Sequence, residues 1–357
     1  KEIKHNPSVE EPIISKKKPA FPVNTLLSEY LSEHGRAIKI PIFYDDLLRF
    51  QGSVVVYDAD ENDTLWVRTY YNEFERQEID LSLKKVYSIL HSDGSEDIIQ
   101  YLNVDAIDYC TFGNSKPFRI KIRNILNDNY TYFYIKIADA SRINGLELEH
   151  ILSPNNLNFL VYKNTLIEEH IAGIPGDVFI ENMLEDCTTS EKAQIAKEFV
   201  KFNERCMIRL LGDMRSYNYV IVPTHDFDNV IFKIRPIDFD QQCFEGKFKV
   251  YLPQFFKENN KMVQLVGEKL QADSIEQYKA EERSIIAKRM LSSESRLQTL
   301  LHCMQKDTLS TEENVRLLTQ RVFEVTKDIN FKKLTTMGDV LYQALHFVRR
   351  NYESVSR

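Results

Sequence analysis

Apolar and polar positions change period along the chain, and each change marks an element. Leu26, Leu27, Tyr30 and Leu31 recur at helical spacing and predict a helix over residues 25–33. Residues 53–57 and 64–71 are dense in Val, Thr, Tyr and Trp and predict two strands, parted by the polar turn Asp58-Ala59-Asp60-Glu61-Asn62-Asp63. A short helix is expected over 81–90, ending in His91-Ser92-Asp93-Gly94. Beyond residue 105 the pattern turns strand-like at 107–112, 118–123 and 130–137, with Gly113-Asn114-Ser115-Lys116-Pro117 as the first turn. A helix over 142–152 and strands over 159–162 and 165–171 follow, before Gly173-Ile174-Pro175-Gly176 interrupts the alternation.

The remainder reads as chiefly helical. Thr188 and Glu191 form a capping box that opens a helix over 191–211, because each satisfies backbone N–H groups the first turn leaves free. Ile195, Phe199, Phe202, Cys206 and Met207 mark its buried face. Further helices are expected over 260–271, 274–291, 295–305, 311–326 and 337–351. This succession predicts an α+β chain with a flexible lead over 1–23 and an accessory α/β region over 24–104. A small antiparallel sheet lobe with one helix is expected over 105–172, and a large helical lobe over 173–357.

Composition agrees with a folded chain: 43% of the 357 residues are hydrophobic and 28% charged. A formal charge of −7 denies the chain the basic footprint of a nucleic-acid binder. No apolar stretch approaches the roughly 18 residues a membrane-spanning helix needs, so no membrane partner is expected. The block Lys16-Lys17-Lys18 sits among Pro7, Pro12, Pro19 and Pro22 and reads as a solvated tail. Cys110, Cys187, Cys206, Cys243 and Cys303 are odd in number and widely spaced, which predicts free thiols in a reducing cytoplasm.

The chain lacks GxxxxGK[ST], a complete GxGxxG, HExxH and GxSxG. What it has instead is Leu211-Gly212-Asp213-Met214-Arg215-Ser216-Tyr217-Asn218, where Gly212 permits a sharp turn at a helix end. Further on, Ile237-Asp238-Phe239-Asp240 presents a second carboxylate between apolar residues, costly to bury unless paired or bound to a cation. Upstream, Lys136 stands alone in the apolar strand Tyr132-Phe133-Tyr134-Ile135-Lys136-Ile137, and lysine is rarely buried unpaired. Taken singly, Lys136 reads more readily as an edge-strand lysine that snorkels to water, and Asp213 reads equally as a turn residue and Asp238 as a cap.

Together and in this order, the GDxxxxN loop, the hairpin and the IDFD segment resemble the catalytic and metal-binding loops of the protein-kinase-like superfamily. They are nearest its aminoglycoside phosphotransferase and choline kinase branch. Leu211 stands where that branch has His, and Asp240 where a glycine closes the metal-binding motif. The resemblance implies a two-lobed kinase-like fold and transfer of the ATP γ-phosphoryl group to a hydroxyl of a small molecule or protein. It implies Asp213 as catalytic aspartate, Asn218 and Asp238 as Mg²⁺ ligands, and Lys136 on the nucleotide phosphates. Glu147 and Glu149 are both offered as the partner of Lys136, with Glu147 expected because it lies one turn from Ile143 and Ile151. Gly113 and Ser115 would cover the phosphates, and the backbone around Glu168, Glu169 and His170 would receive adenine. All these groups are expected to converge on one nucleotide crevice. Two alternatives stay open on the same fold: a pseudokinase that serves as a nucleotide-binding scaffold, and a nucleotidyl (AMP) transferase. The residues do not specify the oligomeric state.

Overall fold

The computed structural model describes residues 18–92, 94–227 and 229–353. The chain is of mixed α/β class, with a large antiparallel sheet and a helical region. Its described residues divide into two compact units, one of residues 18–146 with 155–170 and the other of residues 147–154 with 171–353.

The first unit holds helices α1 (Thr25–Glu33) and α2 (Tyr44–Leu47), strands β1 (Gly52–Tyr57) and β2 (Asp63–Tyr70), and helix α3 (Glu73–His91). Strands β3 (Leu102–Cys110), β4 (Phe118–Asn124) and β5 (Tyr130–Ile137) follow. Helix α4 (Ala140–Leu152) begins here and ends among residues of the second unit, and the strands β6 (Phe159–Tyr162) and β7 (Thr165–Glu169) complete the first. The sheet has seven strands in the order β1-β2-β3-β4-β5-β7-β6, with every pair antiparallel. Strict alternation in β4 and β5 sends Phe118, Ile120, Ile122, Phe133 and Ile135 to one face, all at most 1% exposed. Leu83, Val86 and Leu90 of α3 share a core with them.

That core corrects the expected division at 104/105, which falls inside β3. Strand β2 joins β3 through the pairs Trp66↔Cys110, Val67↔Tyr109 and Arg68↔Asp108, so residues 24–104 are part of the sheet unit and not an accessory to it. The physical reason is the apolar sheet face, which needs a cover that α3 supplies. Helix α3 also starts earlier than its apolar period, because Asn72 caps it by accepting from Glu75 N at 2.9 Å.

Residues 1–17 of the expected flexible lead, with Lys16 and Lys17, lie outside the described residues. Lys18 does not behave as a solvated lysine: its ammonium is buried and bonded to Asp139 Oδ2 at 2.9 Å. Asp139 Oδ1 also accepts from Phe21 N at 2.8 Å, so this end of the lead is held to the start of α4.

The helical unit contains β8 (Ile174–Pro175), α5 (Gly176–Asn182), α6 (Thr189–Ile208), β9 (Tyr219–Asp226) and β10 (Asn229–Pro236). It continues through α7 (Asn260–Lys269), α8 (Ala272–Ser292), α9 (Glu294–Gln305), α10 (Glu312–Thr326) and α11 (Met337–Glu353). The capping box forms, with Glu191 Oε2 accepting from Thr188 N at 2.7 Å and Thr188 Oγ1 from Glu191 N at 3.2 Å. Ile195, Phe199, Phe202 and Cys206 are buried on α6, which packs on α7, α8 and β10, whereas Met207 is half-buried. Strands β8, β9 and β10 form a small sheet in the order β10-β9-β8. Among the described residues no helix is long and apolar enough to cross a membrane.

Candidate active site

In the helical unit, α6 ends at Ile208 and the chain makes a tight passage built by backbone bonds. Leu211 N donates to Cys206 O at 2.9 Å, Gly212 N to Gln241 O at 3.0 Å, and Asp213 N to Val250 O at 3.2 Å. Gly212 is needed for space and not for a left-handed turn. A Cβ there would stand 2.8 Å from Val250 Cγ1 and 3.2 Å from Gln241 O. The left-handed conformations belong to its neighbours Leu210, at φ 53°, and Asp213, at φ 60°. Aspartate tolerates this region better than most residues, yet a strained backbone persists only where surrounding contacts enforce it, and such positions gather at functional sites.

Those contacts are plentiful. Asn218 Nδ2 donates to Asp213 O at 2.7 Å, and Ile237 N donates to Asn218 O at 3.0 Å, so one asparagine ties the loop to the residue before Asp238. Asn259, fully buried, donates to Met214 O at 3.0 Å and Pro253 O at 2.8 Å, while its Oδ1 accepts from Tyr219 Oη at 2.7 Å. Leu211, which stands where the resembling branch has histidine, is fully buried and bridged to Gln242. Backbone bonds thus set the loop's direction without that side chain.

Asp213 is half-buried and Asp238 likewise. Burial pushes the Asp213 carboxyl up to about 7, against the hydrogen bond and charge of Arg215 and with the help of the charges of Asp238 and Glu258. Arg215 Nε donates to Asp213 Oδ1 at 2.8 Å and Arg215 Nη1 to Glu258 Oε1 at 2.9 Å, with the guanidinium 4.8 Å from the Phe256 ring centroid. Arg215, Glu258 and Asn259 therefore belong to the site, and the sequence reading missed them. Arg215 lay inside the quoted motif, while nothing local set Glu258 and Asn259 apart from ordinary helix-start residues.

The cluster can hold a divalent cation as far as donor chemistry goes. Asn218 spends its amide N–H on Asp213 O, which leaves Oδ1 as an oxygen donor, its backbone is tied to the residue before Asp238, and a hard cation such as Mg²⁺ takes one or two protein oxygens plus phosphates. The charges of Asp238 and Glu258 add to the burial that lifts Asp213, and a cation there would offset them. No group of three or more His, Cys, Asp or Glu residues suited to a metal occurs among the described residues.

In the sheet unit, Lys136 is buried in β5, and its ammonium donates to Glu168 Oε2 at 2.7 Å. Lys136 and Glu147, expected as a pair, belong to different units. Glu147, with no exposed surface, is held by Arg296, and Glu149 by Arg209. A fully buried carboxylate on α4 demands a cation, and the helical unit supplies one to each. Glu169 Oε1 accepts from Asn158 N at 2.8 Å, and His170 Nδ1 meets Tyr134 Oη at 3.1 Å. Gly113, at φ 82°, is exposed in the β3–β4 turn with no atom near its would-be Cβ, and Ser115 in the same turn is half-buried. The division between the units falls at His170, within the segment expected as a joint. The structure thus gathers Asp213, Asn218 and Asp238 in one unit and Lys136, Glu168 and His170 in the other.

No family model matches the chain, and no curated protein matches it. Among solved structures, an ethanolamine kinase of Plasmodium vivax is similar at 12% identity, over 79% of this chain and 92% of that one, with a TM-score of 0.24. A likeness so slight carries neither fold nor activity across.

Proposed function

We propose that the chain is a kinase-like phosphotransferase that moves the ATP γ-phosphoryl group to a hydroxyl of a small molecule or protein. The observation that carries this reading is the convergence of Asp213, Asn218 and Asp238, with Asp213 in a left-handed backbone and its carboxyl held near neutrality. A carboxylate tuned to about 7 can accept a proton at physiological pH, as a general base must. Asp213 would take the acceptor's proton as the hydroxyl oxygen bonds to the γ-phosphorus, and ADP leaves as the bridging P–O bond breaks. Arg215 and Glu258 hold the carboxylate in place for that transfer. Asn218 Oδ1 and Asp238 would bind Mg²⁺, which when bound supplies charge neutralisation. Lys136, which donates to Glu168, would serve the nucleotide phosphates.

Asp213→Ala is expected to cut turnover by at least about 10²-fold with nucleotide binding nearly intact. Asp238→Ala is expected to weaken Mg-nucleotide binding itself. Full phosphoryl transfer by both variants would sink the assignment. A scaffold reading is favoured by one feature, the occupation of Asp213 Oδ1 by Arg215. Such a protein binds ATP without consuming it, so ATP turnover separates the two. Label from α- rather than γ-tagged ATP on the acceptor would instead mark nucleotidyl transfer.

A further inference from the structure

The C-terminal helices leave a groove that the phosphotransfer reading does not use. It lies in the helical unit, between α10 and the chain leading into α11, and has a volume of about 560 Å³. Val315, Phe323, Phe331 and Leu334 give it apolar walls. Sites for small molecules have this size and character, an apolar surface to which a few placed polar groups are added.

Three polar groups in the lining are unspent. Thr319 stands on α10 one turn before Phe323, and its hydroxyl is buried with no hydrogen-bond partner among the described residues. A threonine inside a helix can return its hydroxyl to the carbonyl four residues back, as Thr326 of the same helix does to Val322 O at 2.8 Å. Lys332 and Lys333 line the same groove, and neither forms an ion pair among the described residues. The Lys332 ammonium lies 4.6 Å from the Phe323 ring centroid, which brings a cation and an aromatic wall to the turn of α10 that follows Thr319. Lys333 has a left-handed backbone, at φ 64°, a strain that in other proteins gathers where ligands are held.

Charge gives the ligand its sign and its direction. Arg316 spends its guanidinium on Glu313, at 2.8 Å and 3.1 Å, and leaves the two lysines as the open cations of the lining. Glu312 is the carboxylate of the lining, and it precedes Phe323 by about 16 Å along the helix axis. A negative head is therefore favoured at the Lys332 end and repelled at the other. We propose that this groove binds a single-chain amphiphile with an anionic head, such as an alkyl carboxylate. The head takes the Thr319 hydroxyl and the Lys332 and Lys333 ammoniums, and the chain covers the apolar walls. The groove shares no lining residue with the Asp213 cluster, so the inference stands or falls apart from the nucleotide reading.

Calorimetry on the full chain tests it with decanoate, kept below its micelle-forming concentration, and with decyltrimethylammonium, which puts a cationic head on the same alkyl chain. Decanoate should bind saturably and at least about tenfold more tightly than the cation. Thr319→Val should melt no lower than the parent, because it removes a buried hydroxyl that has no partner, yet bind decanoate at least about tenfold more weakly. Reversing the two exposed lysines together, Lys332→Glu with Lys333→Glu, should weaken decanoate binding by at least as much. Absence of saturable decanoate binding, equal affinity for the cation, or unchanged affinity in either variant overturns the inference. The lysine variant decides the matter if Thr319→Val does not fold, since both of its changes lie on the surface.

Discussion

Replacing Asp213 by Asn should remove activity and make the protein gain stability relative to its parent as pH rises from 5 to 8. The folded-state carboxyl sits near 7, well above its ordinary 3.8, chiefly because burial disfavours the charged form. The native protein therefore keeps a proton that the unfolded chain releases between about pH 4 and 7. Stability from this group is present at low pH, declines as pH rises through that window, and is gone above 7. Each tenfold change in proton affinity is worth about 1.36 kcal/mol, so the loss between pH 5 and 8 is at most about 3 kcal/mol. The side chain is 25% exposed, so solvent screening brings the expected loss to about 1–2 kcal/mol. Asparagine escapes this loss but weakens the bond from Arg215, whose pH-dependent part is already contained in the raised pKa. The informative quantity is therefore the change with pH in the stability difference between variant and parent. Urea unfolding of both proteins at pH 5 and pH 8 measures it, and the variant should gain on the parent by about 1–2 kcal/mol across that interval. A difference that stays constant with pH, or moves the other way, would refute the claim that Asp213 is held protonated by burial.

Two further outcomes follow from the same geometry. Gly212→Ala puts a methyl group 2.8 Å from Val250 Cγ1, and should cost about 1–3 kcal/mol in urea unfolding and reduce turnover by displacing Asp213. Glu147→Ala leaves Arg296 without this carboxylate and should destabilise by about 3–5 kcal/mol, while nucleotide affinity of the folded fraction stays within about threefold of the parent's. A large affinity loss in that variant would return Glu147 to the role first expected of it.

What the sequence alone could settle is what depends on near neighbours. Helical and strand periods placed α1, β5, β6 and most later helices, and Thr188 with Glu191 announced the start of α6. The hairpin β9–β10 and its flanking Asn218 and Asp238 were legible because a two-stranded antiparallel pair joins residues close in sequence. Tertiary structure decided the partners. Helical spacing put Glu147 near an apolar face but could not say that Arg296, far along the chain, would neutralise it. Lys136 found Glu168 through strand register, a long-range property set by which strands pair. The reach of the sheet back to β1, and the lock that Asn259 places on the Asp213 loop, likewise depend on contacts between distant segments. A buried polar group takes whichever partner the fold brings within about 3 Å, and no local pattern records that choice.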